Sequence, residues 1–478
     1  MPNYRPAPAR SQSLTPIYLA ATLVYLLFIP EQFNVRAAGL LLSPYRIFMF
    51  GATIYLLFNT IGGRYRPAWP DLFVGLSVFW IWIASFVTSG SIATTLAQGG
   101  SHTLDIAFAY LVARASIQTP KDLRLLLVLI APGLAVIGFV LVQEAVTHVR
   151  FVQPIAASLT GAPELLRDDV RLGFLRGAGP FPHPILAGIF MASFLALYLT
   201  SGLRGWPKFL GIAAACTAFF SMSSAALLGL LAGAAFLSYQ WLTEKVVNLT
   251  WQLLLSAGAA FYIVIELTSN SGFYNLLIRY ASLNTATAYN RVLIWDFGTE
   301  NIKQHPWFGI GYDDWVRPDW MHSGSFDHFW LIMALRFGIP ASIFLLVMVV
   351  AGVTLLSRTS VLLPLADRRL LRGVAISFGV FAMGLNSVSI WLTVLVWFFM
   401  LAGIAVSLGL YRPPPATRYV YRPNGSGPPK GGEQQGGRPT GVPMRAGRPQ
   451  RRVQQGYAAR PGSRPMRPAP TADNSPAE

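Results

Sequence analysis

Ser325–Phe337 reads SFDHFWLIMALRF, and how it is read decides how this chain is threaded. Counted as a membrane span, it would push Arg368, Arg369 and the basic C-terminal tail outside. We therefore read it as an outer-surface or re-entrant helix leading into a span that starts after Gly338. Half-inserted backbone of this kind is tolerated only where protein or a water-filled cavity surrounds it.

The rest of the chain is read outward from that choice. Of the 478 residues, 53% are apolar and 12% charged, against roughly 25% charged in a soluble domain. Apolar runs recur at lengths of about 18 to 20 residues, enough for a helix to cross a bilayer. Twelve spans are expected near 15–30, 44–62, 71–89, 103–114, 125–145, 183–200, 208–222, 224–241, 249–267, 339–357, 371–387 and 389–410. The first lacks a small-residue cleavage site and reads as a span rather than a signal peptide. The single cysteine, Cys216, lies in an apolar run, so disulfides play no part.

Basic residues test this threading, because cytoplasmic loops carry an excess of Lys and Arg. With residues 1–14 inside, the inner loops hold Arg64 and Arg66, then Arg114, Lys121 and Arg124, then Arg204 and Lys208, then Lys245, then Arg358, Arg368, Arg369 and Arg372. The short outer loops 90–101, 221–224 and 386–389 hold none. The expected fold is an all-α integral membrane protein. Nine spans lie in 15–267, a large outer loop with an amphipathic helix in 268–338, and three spans in 339–410.

Residues 411–478 form a separate region rich in Pro, Gly, Gln and Arg, with twelve Lys or Arg against three acidic residues. Such a composition cannot bury a core and is expected to be disordered. Beside a cytoplasmic leaflet it would be drawn to anionic lipid. It carries no nucleic-acid-binding motif, so nucleic acid is not an expected partner.

Two outer loops break the charge rule together. Residues 148–182 hold Arg150, Arg167, Arg171 and Arg176. Residues 268–337 hold Arg279, Arg291, Arg317, Arg336 and Lys303, with His322, His328 and the pair Asp313–Asp314. Long loops escape topological pressure, so solvated surface charge is one reading. The other is an anion site at the outer membrane face. Arginine presents a permanently charged fork that matches phosphate oxygens. A lipid-linked sugar donor exposes a pyrophosphate there, already a good leaving group, whose developing charge such a site would stabilise. A neutral histidine or a carboxylate could take the proton from the attacking hydroxyl. There is no HExxH, no His pair at i, i+4 and no Cys cluster, so neither a metal nor another cofactor is expected.

Three stretches carry a resemblance. They are Arg176–Gly188 (RGAGPFPHPILAG), Pro306–Trp315 (PWFGIGYDDW) and Asp327–Pro340 (DHFWLIMALRFGIP), with Arg291 and Trp295 of RVLIW upstream. In order and spacing they resemble the O-antigen ligase and Wzy-type polysaccharide polymerase superfamily over roughly residues 15–410. The resemblance implies a GT-C-like fold with the large loop in the periplasm before the tenth span, in the bacterial inner membrane. It implies an inverting, metal-independent glycosyltransferase whose donor is an undecaprenyl-pyrophosphate-linked glycan. It matches Arg291 to a pyrophosphate contact and His328 to the base or acceptor-orienting histidine. It places Arg176 and His183 in a second element. Arg171, Arg336, Asp313 and His322 complete the expected donor and glycan contacts. The Pro-rich tail is then a candidate docking segment for other polysaccharide-assembly proteins.

The chain departs from the ligase pattern at Phe220–Ala225 (FSMSSA), where Ser224 stands in place of the arginine of a Ser-Arg pair. Arg171, Arg176 or Arg336 could supply that charge. The departure favours an ExoQ-like polymerase over a ligase that transfers glycan to lipid A core. A flippase or transporter is disfavoured, because its charges would lie near the bilayer midplane and in repeats. A scaffold acting through the tail is the remaining alternative. At individual positions, Asp327 is read as the cap of a helix entered at Ser325 and His183 as part of a rigid turn, while a role for Glu31 as the base of a different type of transmembrane glycosyltransferase is disfavoured.

Overall fold

The computed structural model describes residues 14–37, 40–60, 67–164, 166, 168–269, 272–273, 285–321 and 324–413. Arg167, Arg279, His322 and the basic tail lie outside the described residues.

Helices α1 (Thr15–Leu26), α2 (Pro44–Thr60) and α3 (Trp69–Ser89) follow the expected apolar runs. The run read as 103–114 is longer than it looked. Helix α4 (Ile92–His102) continues through a π-helical turn at Thr103–Phe108 into α5 (Ala109–Ser116), giving one continuous helix over 92–116. Its first half carries Thr94, Thr95, Gln98 and Ser101, which hide its length in a hydropathy reading. Helix α6 (Pro120–Thr147) has 28 residues, about 42 Å at 1.5 Å per residue. Thr119 and Asp122 start it with a reciprocal capping box: the Asp122 N–H donates to Thr119 Oγ1 at 3.2 Å, and the Thr119 N–H to the Asp122 carboxylate at 2.9 Å.

A short helix α7 (Val152–Thr160) and a two-residue-turn hairpin pairing Val170–Arg171 with Phe174–Leu175 occupy the arginine-rich loop. Leu172 and Gly173 turn it with φ of 51° and 82°. The 183–200 run is split at Ser193 into α8 (Pro184–Ala192) and α9 (Phe194–Thr200). Helix α10 (Trp206–Cys216) ends in a 3-10 turn at Thr217–Ser221, and α11 (Ser224–Thr243) and α12 (Trp251–Thr268) follow. The large loop holds α13 (Thr285–Gln304) and α14 (Phe329–Phe337). The last three are α15 (Ile339–Ser360), α16 (Leu365–Gly384) and α17 (Leu392–Gly409).

Among the described residues six helices are long and apolar enough to cross a membrane: α3, α6, α11, α12, α15 and α17. Twelve spans were expected; several of the others are shorter or broken apolar helices, such as α1 and the α8–α9 pair. Ser325–Phe337 holds no helix long enough to cross a bilayer. It yields the nine-residue α14, which meets α15 at Gly338.

The core centres on α17, apolar nearly all round and buried from Thr393 to Gly409, as expected of a helix enclosed by others. Trp397 stacks on Phe194 at 4.6 Å and donates its indole N–H to Ser193 Oγ at 2.8 Å. Ser193, the break between α8 and α9, is thus fixed to the central helix. At the opposite extreme, α12 has no buried residue.

Candidate functional site

The first half of the site is built on Glu144, in the last turn of α6. It is fully buried and accepts the N–H groups of Ala178 and Gly179 at 2.8 and 2.9 Å. Gly177 passes so close to α6 that a Cβ would sit 2.7 Å from the Leu141 carbonyl oxygen. Its N–H donates to the Phe220 carbonyl at 2.9 Å.

This strap carries Arg176. Its Nε donates to the Ser221 carbonyl at 3.3 Å and a terminal nitrogen to Asp169 at 3.0 Å. Arg171 shares the same carboxylate at 3.2 Å. Burial opposes ionisation of Asp169, but Arg176 and Arg171 together hold it below the usual carboxylate range. Arg150 ties the assembly together, donating to the Arg176 carbonyl at 3.1 Å and to Asp168 at 3.1 Å.

The second half is α13. Ala288, Arg291, Ile294, Trp295, Gly298, Asn301 and Ile302 recur three and four apart, which places them on one helix face. That face is turned inward: Ala288, Arg291, Ile294, Asn301 and Ile302 are buried, Arg291 with only 5% exposure. A Cβ at Gly298 would lie 2.6 Å from the Phe326 ring, so the small residue lets α13 close on the segment before α14. The arginine lines a largely apolar cavity of about 300 Å³ with Ser193, Ser224, Asn386 and Ser387.

Helix α14 is capped at both ends. At its start the cap is His328, not Asp327 as expected, and the helix begins at Phe329 rather than Ser325. His328 is 2% exposed, and its Nδ1 accepts the Leu331 N–H at 3.1 Å. Burial pushes the imidazole down to about 4. A neutral ring that accepts at Nδ1 carries its proton on Nε2. His328 is therefore a donor and a cap in this arrangement, packed 5.6 Å from the Trp295 ring. His183 caps α8 in the same way, its Nδ1 accepting the Ile185 N–H at 3.2 Å. Burial first, then Arg176 and Arg171, push it down to about 4.

At its other end α14 leaves carbonyls without helical partners. The PWFGIG stretch supplies donors. Ile310 N–H meets the Leu335 carbonyl at 2.8 Å, Gly311 N–H meets that of Arg336 at 3.0 Å, and Trp80 Nε1 meets that of Phe337 at 3.1 Å. This motif works through its backbone, with the Trp80 and Phe308 rings stacked at 5.6 Å beside it.

The structure divides the sequence-derived site residues. Arg291 and Ser224 share the first cavity; Arg176 contacts the Ser221 turn that leads to Ser224, and Arg171 is joined to Arg176 through Asp169. Asp313 and Arg336 line a different cavity of about 730 Å³, which also takes in Glu31, Asp327 and Trp391. Arg336 lies 4.4 Å over the Tyr312 ring there. It does not line the cavity that holds Ser224, whereas Arg176 reaches the Ser221 carbonyl of that turn. The segment 384–392 stands between the two cavities, giving Asn386 and Ser387 to one and Ser389–Leu392 to the other. Sequence reasoning missed Glu144, Asp169 and this partition. A carboxylate at the end of an apolar run was the available signal for Glu144.

Residues 209–346 match the O-antigen ligase family, Wzy_C. That range holds Arg291, the PWFGIG stretch, His328 and Arg336, and so bears out the resemblance seen in these motifs. Arg171, Arg176 and His183 fall before it. No curated protein and no solved structure matches the chain.

Proposed function

We propose that the protein is a membrane glycosyltransferase that polymerises undecaprenyl-pyrophosphate-linked repeat units into a polysaccharide at the periplasmic face of the bacterial inner membrane. The observation that carries this reading is Arg291, a buried cation at the head of a cavity whose other walls are mostly apolar. Such a cavity suits a ligand with an anionic head and a hydrocarbon tail. Arg291 would hold the pyrophosphate, with Arg176 and Arg171 behind the Ser221–Ser224 turn. Preorganised guanidinium groups in a site of low dielectric stabilise the charge that develops as the pyrophosphate leaves. His328, neutral and donating from Nε2, would orient an oxygen of one substrate. The reaction would invert the anomeric centre and use no metal.

A ligase that passes the glycan to lipid A core is the second reading, favoured by the family that residues 209–346 match. Ser224 argues against it. Incubation of the purified protein with a lipid-linked repeat unit alone separates the two. Longer lipid-linked chains support the polymerase. Product that forms only after a lipid A core acceptor is added supports the ligase, and no product with either overturns both.

A further inference from the structure

If His328 is a cap and a donor, the proton of the attacking hydroxyl needs another acceptor. The larger cavity offers one. At about 730 Å³ it lies within the range of small-ligand sites. Five of its lining residues are carboxylates and two are arginines. Asp105 is neutralised by Arg46 at 2.5 Å and Asp314 by Arg317 at 2.6 Å. Glu31, Asp313 and Asp327 then remain against the one charge of Arg336, so the lining is net negative. Tyr312, with Arg336 over one face of its ring, and Trp391 keep 47% and 40% of their surface exposed, and both line the cavity, where an aromatic ring can pack against the C–H face of a sugar. A pyrophosphate would be repelled here, whereas an uncharged sugar would not.

Asp327 stands at the boundary with the first cavity. Its segment is pinned to the partition: the Phe329 N–H donates to the Leu385 carbonyl at 2.9 Å, and Ser389 Oγ donates to the Phe326 carbonyl at 2.6 Å. Burial raises the Asp327 carboxyl above the ordinary aspartate range, against the pull of Arg291 and Arg176. Among the lining carboxylates, Asp327 is the one set between Phe326 and Phe329, the two residues held to the partition.

We infer that this second cavity receives the uncharged end of the acceptor glycan, and that Asp327 accepts the proton of its attacking hydroxyl. The inference rests on the donor reading of Arg291 given above. The hydroxyl oxygen forms a bond to the anomeric carbon of the donor as the bond from that carbon to the pyrophosphate oxygen breaks. The electron pair leaves with the pyrophosphate beside Arg291. The proton passes to the Asp327 carboxylate and then to solvent.

The test uses full-length protein in nanodiscs. Farnesyl pyrophosphate probes the donor side, while cellotriose and tri-galacturonate probe the acceptor side. Cellotriose is expected to bind and tri-galacturonate to fail, with Tyr312→Ala weakening cellotriose and Asp313→Lys admitting the uronate. Asp327→Asn should lower transfer from a lipid-linked repeat unit by about 100-fold or more while farnesyl pyrophosphate binding stays unchanged. Asp327→Glu should recover part of the rate with a displaced pH profile. Wild-type transfer in Asp327→Asn overturns the proton-acceptor role. Equal binding of both trisaccharides, or none of either, overturns the cavity assignment. Failure of wild-type protein to bind farnesyl pyrophosphate overturns the donor reading instead.

Discussion

Arg176 donates its Nε to the carbonyl of Ser221 at 3.3 Å, which joins the arginine-rich hairpin to the turn in which Ser224 stands. A guanidinium delivered from another loop can occupy the electrostatic role that the FSMSSA turn leaves open. Arg176→Ala is therefore expected to raise the apparent Kd for farnesyl pyrophosphate by about 10-fold or more, near the loss of one charge-assisted hydrogen bond. The double variant Arg176→Ala, Ser224→Arg should recover part of that affinity, because residue 224 lines the Arg291 cavity. A competition assay with labelled lipid checks both. Unchanged affinity in the single variant would remove Arg176 from the donor site.

The capping role of His328 separates two variants that a purely catalytic role would not. Asparagine is a good N-cap and alanine a poor one, a difference of about 1 kcal/mol. His328→Asn should keep the thermal stability of the parent, whereas His328→Ala should lower it. Both should slow transfer, since neither restores a ring donor at Nε2. Equal melting temperatures for the two variants would show that the cap is dispensable.

A pH dependence of stability follows from the same ring and from His183. Each has an ordinary value of 6.5 and is pushed down to about 4 in the folded protein. Between those values the unfolded chain binds more protons than the folded one, so stability rises with pH. The contribution is complete above pH 6.5 and is lost as the pH falls through about 4. Thermal scans from pH 7.5 to 4.5 should show a steeper fall for the parent than for His183→Asn, His328→Asn. Parallel curves would place the acid sensitivity elsewhere.

Much of this architecture was legible, and the illegible parts have physical causes. Arg291 shares the three-and-four spacing of Ala288, Ile294 and Gly298, so its inward face was implicit in the sequence. The end of α14 at Gly338 could be read from the Gly-Ile-Pro that follows. Its start could not, because Asp327 and His328 are both competent caps and only the backbone decides between them. The split into two cavities was also hidden. It depends on the segment 384–392 folding back against Phe326–Phe329, a contact across more than fifty residues that leaves no local signature.

Gly338 offers a sharp test of the way α14 is docked. Its φ is 83°, and a Cβ would lie 1.7 Å from the Trp307 carbonyl oxygen. Gly338→Ala should destabilise the protein by about 2–4 kcal/mol, since backbone strain and a backbone clash add. Gly379, in α16, has nothing within 4 Å of a Cβ. Gly379→Ala should be neutral or stabilising by about 0.5–1 kcal/mol. Chemical unfolding in a fixed detergent measures both, and similar shifts would mean that the PWFGIG strap is not tightly seated on α14.

Glu144 is the position at which a single atom change should be most informative. Its carboxylate holds the Ala178 and Gly179 N–H groups and lies 3.9 Å from Arg150, with no exposed surface of its own. Glu144→Ala leaves two buried N–H donors without their acceptor and removes a carboxylate near Arg150, a loss of about 2–4 kcal/mol. Glu144→Gln retains one acceptor oxygen and should lose about 1–2 kcal/mol. Because the strap from Ala178 leads back to Arg176, the alanine variant should also release Arg176 from the Ser221 turn. Its transfer rate should then resemble that of Arg176→Ala, while the glutamine variant stays closer to the parent. Full activity in Glu144→Ala would show that Arg176 is positioned by Asp169 alone.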